Sequence, residues 1–115
     1  MQGKKQMQSK IFTSFNLSAA VPEDDFYKRL DKILDLDFLI PATKEYYGTE
    51  GNASIDPRVF FKMVLIGYLE NIPSDRKLVK HISNCLNLRL FIRYDIDEVV
   101  PVHSTVSRTR QLLGE

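Results

Sequence analysis

The chain has 115 residues, 43% hydrophobic and 27% charged, with 16 Lys+Arg against 15 Asp+Glu for a formal charge of +1. That is one ordinary globular domain, in which folding buries roughly 65% of the surface the open chain exposes. Cys85 is alone and only His81 and His103 could join it, which excludes a disulfide scaffold and a zinc finger and implies a reducing compartment. No apolar run approaches the roughly 20 residues that span a bilayer, and the basic start leads into no signal-type core, so the expectation is a soluble, cytoplasmic protein with no membrane role.

The near-neutral total hides an uneven distribution. Residues 1 to 20 carry +3 through Lys4, Lys5 and Lys10, residues 21 to 56 carry −5, and residues 57 to 115 carry +3. From 74 to 94, Arg76, Lys77, Lys80, Arg89 and Arg93 face only Asp75. A polyanion responds to such local fields, and a solvated helix face produces the same pattern.

In chain order, residues 1 to 20 are polar with scattered Ile11, Phe12, Phe15 and Leu17, and read as a partly ordered N-terminal arm. Residues 21 to 115 read as the helical domain. Pro22 is expected in the first turn of a helix whose positive end Glu23, Asp24 and Asp25 complement, with Phe26, Leu30, Ile33 and Leu34 as its apolar stripe. A second helical stretch from about Asp37 to Tyr46 is interrupted at Ile40-Pro41, and Gly48 to Asn52 reads as a turn-rich connector. Asp56 is a good N-cap and Pro57 a good first residue for a central helix over 57 to 71, the most buried element, with Phe60, Val64 and Leu65 in the core. Gly67 in mid-helix implies that another backbone passes close by. Ser74 caps the next helix, with Leu78, Val79, Ile82 and Cys85 inward and Arg76, Lys77 and Lys80 outward or flanking.

Residues 87 to 94 alternate as a strand would, but the chain offers no convincing partner strand, so a short helix is preferred. The last helix begins near His103 or Ser104. On a helical wheel Val106, Thr109 and Leu113 fall together, opposite Ser104, Ser107, Arg108 and Gln111, with Arg110 at the margin. That face suits double-stranded DNA, since Arg pairs with guanine, Gln with adenine, and hydroxyls at a helix N-terminus bind phosphate. The preceding basic helix would supply backbone contacts in a helix-turn-helix style. A solvated C-terminal helix is the alternative.

Enzymatic chemistry finds less support. The Asp35/Asp37 and Asp95/Asp97 pairs sit where Asp commonly bonds local backbone, Cys85 with His81 at i, i+4 reads as a small apolar residue beside a histidine, and no phosphate loop or nucleophile elbow is present. The expectation is no catalytic residue, metal, cofactor or small-molecule substrate.

Taken together, SIDPRVFFKMVLIGYLENIPSDRKLVKHI and FIRYDIDEVVPVHSTVSRTRQLLGE, preceded by FNLSAAVPEDDFYKRLDKILDLDFL and KEYYGTEG, resemble the N-terminal, InsH-type domain of bacterial insertion-sequence transposases over about residues 10 to 115. The spacing PxHSTxSRxR is the specific part. The resemblance implies an all-α, compact multi-helix domain with a helix-turn-helix-like C-terminal half, which helps a transposase recognise its element's terminal repeats for DNA transposition. Ser104, Thr105, Ser107, Arg108 and Arg110 match the motif and Arg76 a basic position before it; Lys77, Lys80 and Gln111 join them as candidate DNA-binding residues from their placement. Family members continue into a DDE catalytic domain, so the resemblance implies a non-catalytic module: a truncated product, a remnant of a decayed element or a fragment. It would be nucleoid-associated, with a homo-oligomer or the full-length transposase as partner. The alternative reading is a helical protein-interaction module that dimerises through the apolar central helix and the Cys85 region, with no DNA role.

Overall fold

Helix starts and stops dictate the path of the chain. The computed structural model describes residues 2–44 and 55–113, and among the described residues the elements are α1 (Leu17–Ala20), α2 (Phe26–Ile33), α3 (Leu39–Thr43), α4 (Pro57–Leu69), α5 (Asp75–Ser83), α6 (Leu86–Ile92) and α7 (His103–Leu112). No strand occurs among them, and the fold is all-α. The ambiguous segment after Cys85 is helix α6, because Leu88, Phe91 and Ile92 at i, i+3 and i+4 are all buried. The expected connector at Gly48 to Asn52, and the end of the stretch expected to run to Tyr46, lie outside the described residues.

Pro22 does not enter α2. It opens a turn in which the Asp25 N–H donates to the Pro22 carbonyl at 3.1 Å, and this turn delivers Asp25 as N-cap. Asp25 Oδ2 accepts from the N–H groups of Tyr27 and Lys28, while Oδ1 accepts from Asn87 Nδ2 at 2.9 Å, so one carboxylate starts α2 and ties it to α6. The apolar stripe is also displaced from expectation. Phe26 and Ile33 are 58% and 83% exposed, whereas Tyr27 is buried and Leu30 and Leu34 pack partly against the core. The rotation follows from Tyr27, whose ring lies 5.2 Å from that of Phe91 and whose hydroxyl donates to Glu70 Oε2 at 2.6 Å. Pro41 falls in the first turn of the short α3, where its missing N–H leaves no intrahelical bond unmade.

Helix α4 is capped by Asp56 with Pro57 in its first turn, as its sequence predicts. Its inward line differs: Phe60, Met63 and Ile66 are buried at successive i+3 steps, and Val64 and Leu65 are only half-buried. Lys62 sets this rotation. Its side chain is turned inward, where Nζ donates to Asp31 Oδ1 of α2 at 2.7 Å and to the Phe91 carbonyl of α6 at 2.8 Å, 4.8 Å from the Phe91 ring centroid. A buried ammonium needs such partners, and α4, α2 and α6 must meet to supply them. The helix ends at Leu69 in a Schellman turn. Asn71 takes φ 56°, and the Ile72 N–H donates to the Gly67 carbonyl at 2.8 Å. Gly67 does admit a close backbone, because a Cβ there would meet the Ile72 carbonyl oxygen and Leu78 Cδ2, each at 3.3 Å.

Arg89 joins the lower part of the molecule: its guanidinium donates to the carbonyls of Ser83, Asp95 and Glu98, tying the end of α5 and the acidic loop to α6. Arg93 ends α6 at φ 66° in a second Schellman turn and reaches Asp31 Oδ2 at 3.2 Å. Two of the cations counted toward a basic field are therefore engaged in the fold.

Removing Asp31 leaves the Lys62 ammonium buried without a counter-ion, whereas Lys62→Met leaves Asp31 paired to Arg93 at the surface. Asp31→Ala is expected to destabilise by about 3–5 kcal/mol and Lys62→Met by less than about 2 kcal/mol in denaturant titrations. Asp56 is held below the ordinary carboxylate range, first by its side-chain bond to Arg58. A carboxyl depressed in this way stabilises the fold above the unfolded-state value and loses that contribution as pH falls through the folded value. The stability gap between the native chain and Asp56→Asn should therefore be present near neutrality and close in strongly acidic buffer, as read by thermal melts across pH.

Candidate nucleic-acid interface

Helices α5 and α7 pack directly against each other, with α6 between them in the chain. Ser74 caps α5, its Oγ accepting from the Lys77 N–H at 3.3 Å. Leu78 and Ile82 are fully buried and fix the rotation of α5, leaving Arg76, Lys77 and Lys80 exposed within one turn. In α7, Val106 and Thr109 are buried, and Thr109 satisfies its hydroxyl on the Thr105 carbonyl at 2.9 Å. That leaves Ser104, Arg108 and Gln111 exposed at i, i+4 and i+7, one continuous line along the helix. Among the described residues Arg76, Lys77, Lys80 and Arg108 make no ion pair.

The remaining motif residues have a different environment. Ser107 Oγ donates to Asp75 Oδ2 at 2.8 Å and Arg110 Nη2 to Asp75 Oδ1 at 2.7 Å, so both oxygens of one α5 carboxylate are held by two α7 side chains. The Arg110 guanidinium also lies 6.0 Å from the Phe60 ring centroid, which links α7 to α4. Ser107, Arg110 and Thr105 are half-buried. The structure thus sorts the nine candidates: Arg76, Lys77, Lys80, Ser104, Arg108 and Gln111 face outward, while Ser107 and Arg110 clasp the two helices and Thr105 lies between these groups. In the sequence Asp75 stands out only as the single acid among the cations of residues 74 to 94; its partners lie 32 and 35 residues away.

Other reactive groups are engaged locally. Cys85 Sγ lies 3.8 Å from His81 Nδ1, and His81 Nε2 lies 2.8 Å from Glu70 Oε1. This string continues to Tyr27 through the other Glu70 oxygen. Burial and then the charge of Glu70 push the Cys85 thiol up, which keeps it protonated at neutral pH. Burial, then the hydrogen bond to Glu70 and the charge of that carboxylate, raise the Tyr27 phenol. Asp35 Oδ1 accepts from the Asp37 N–H, Asp37 pairs with Arg58, and Asp95 Oδ1 accepts from the Ile96 N–H. Among the described residues no three of His, Cys, Asp and Glu are arranged to hold a metal ion, and no helix is long and apolar enough to cross a membrane.

The described residues thus form an all-helical domain with exposed cations on two clasped helices. The chain belongs to the family described as Transposase domain (DUF772), whose model matches residues 15–112. Neither the curated proteins nor the solved structures gave a match. The role of the domain is transposase-related.

If the clasp is structural, Asp75→Ala and Arg110→Ala should each lower stability by about 1–3 kcal/mol, because each strands a half-buried charged partner. A double-mutant cycle on the pair should return a coupling of at least about 0.5 kcal/mol. Arg76→Ala and Arg108→Ala should stay within about 0.5 kcal/mol of the parent in the same denaturant titrations.

Proposed function

We propose that this domain binds double-stranded DNA at the terminal repeats of an insertion element, contributing recognition to transposition while the strand-transfer chemistry resides outside it. The observation that carries this reading is the outward row of Ser104, Arg108 and Gln111 on α7 with Arg76, Lys77 and Lys80 exposed on the adjoining α5, where the Asp75 carboxylate is engaged by Ser107 and Arg110. Arg108 and Gln111 have the donor patterns that read guanine and adenine edges, and Ser104, in the first turn of α7, has a hydroxyl at the helix end that favours phosphate. The α5 cations take phosphates and set register. Ser107 and Arg110 act through Asp75, holding α7 on α5 so that the two rows enter the duplex together, in the manner of a helix-turn-helix pair whose members are separated by one short helix. Among the described acids Asp25 caps α2, Asp35 closes a turn and Asp31 pairs with Lys62, which supports a binding role rather than a two-metal active site. A full-length transposase and the bacterial nucleoid are the corresponding partner and setting.

A second reading, a protein-interaction module, draws on the outward side of α4, where Phe61 and Leu69 are exposed and Tyr68 is 81% exposed. Fluorescence anisotropy over a salt series separates the two, since phosphate binding weakens steeply with salt. On a terminal repeat, Arg108→Ala should weaken binding by about 1–3 kcal/mol with little change on random duplex. Lys80→Ala should weaken both nearly equally and reduce the salt slope by about one unit. Binding that ignores salt, or that is unchanged in both variants, would leave the interaction module as the better account.

A further inference from the structure

We propose that the basic, apolar N-terminal arm of a second copy of this chain docks in the acid-rimmed cleft between α2, α4 and α6, so that two copies exchange arms. The arm lies off the body. Met7, Ile11 and Phe12 are 88–90% exposed, and the molecule extends 64 Å along one axis against 30 and 27 Å along the others. Its radius of gyration of 16.9 Å exceeds the roughly 13–14 Å of a compact domain this size. Three large apolar side chains held in water on an extended segment are an unfilled binding capacity, and Lys4, Lys5 and Lys10 give the same segment a charge of +3 with no acid.

The cleft has the matching chemistry. It has a volume of about 660 Å³, with Leu34, Leu36, Val59 and Ile92 among the residues of its wall. Along it and the adjoining hollow at the root of the arm, six carboxylates stand against three cations among the described residues. Those cations are already engaged, Lys62 and Arg93 by Asp31 and Arg58 by Asp37 and Asp56. Asp35, Asp95 and Glu98 form no ion pair among the described residues, so the rim keeps an excess negative charge equal to the charge of the arm. The two hollows share Arg93 and Glu98, and the second contains Ser14 and Phe15, so the cleft is continuous with the point where an arm leaves the body. The acidic surroundings of that root favour protein over DNA as the partner of the arm. In this structure the chain's own arm runs away from the body and leaves the cleft open, which is the arrangement reciprocal exchange requires. Burying Met7, Ile11 and Phe12 from both copies, with the cleft surface they cover, removes on the order of 1,200–1,500 Å² from water, the lower end of a stable interface.

Sedimentation equilibrium without DNA tests this separately from the DNA reading. The full chain is expected to shift from 13.3 kDa toward twice that mass as concentration rises, with weaker association at high salt. A chain lacking residues 2–13, Ile11→Ser with Phe12→Ser, and Asp35→Lys with Asp37→Lys should each weaken association by more than about tenfold while keeping native circular dichroism. Mixing the arm-less chain with the Asp35→Lys, Asp37→Lys chain should restore a one-to-one complex, because one intact arm then meets one intact cleft. A chain that stays monomeric at every concentration would mean that the arm is free or folds onto its own cleft, and would overturn the proposal. A dimer that survives loss of the arm would overturn it in favour of the exposed α4 face.

Discussion

The burial of a single ammonium organises this domain. Lys62 lies on the long, largely apolar helix α4, yet its side chain points inward and its charge is met by Asp31 from α2 and the Phe91 carbonyl from α6. Desolvating a lysine is unfavourable by several kcal/mol unless its partners are placed correctly, so helices distant in sequence are held in one relative arrangement. The rotation of α4 follows from it, bringing Phe60, Met63 and Ile66 to the centre and leaving Phe61 and Tyr68 outside. The C-terminal end of α6 follows as well, since the carbonyl that Lys62 engages is among those its own helix leaves open.

A second carboxylate works in a similar way at the other end of the fold. Asp75 accepts from both Ser107 and Arg110, and this determines which side chains of α7 remain available to a ligand. The motif thereby divides its labour. Residues that grip α5 give α7 a fixed orientation, and those on the neighbouring line of the helix, Ser104, Arg108 and Gln111, face solvent. Rigid placement of this kind would serve the proposed recognition of DNA, because each outward side chain is already oriented by the helix behind it.

The charge distribution has a spatial counterpart. Asp31, Asp35, Asp37 and Asp56 gather with Glu98 around one cleft, while the exposed cations Arg76, Lys77, Lys80 and Arg108 stand on α5 and α7. A nearly neutral chain thus carries two surfaces of opposite character. One is suited to a polyanion and the other to a basic segment, and self-repulsion between them and their proper partners stays low.

Much of the fold was legible in the sequence because it depends on local chemistry. Asp56-Pro57 and Ser74 are start signals whose geometry involves only neighbouring backbone, and Gly67 marked a close approach that the Ile72 carbonyl supplies. The helical character of residues 86 to 92 followed from the lack of any strand to pair with. The outward face of α7 was readable from its period, but the removal of Ser107 and Arg110 from that face was not, since their partner lies more than thirty residues away. The inward turn of Lys62, the burial of Tyr27 in place of Phe26, and the use of Asp25 to hold Asn87 share that reason. Periodicity gives a stripe to within about one residue of rotation, and only a long-range polar contact decides which residue within it faces the core.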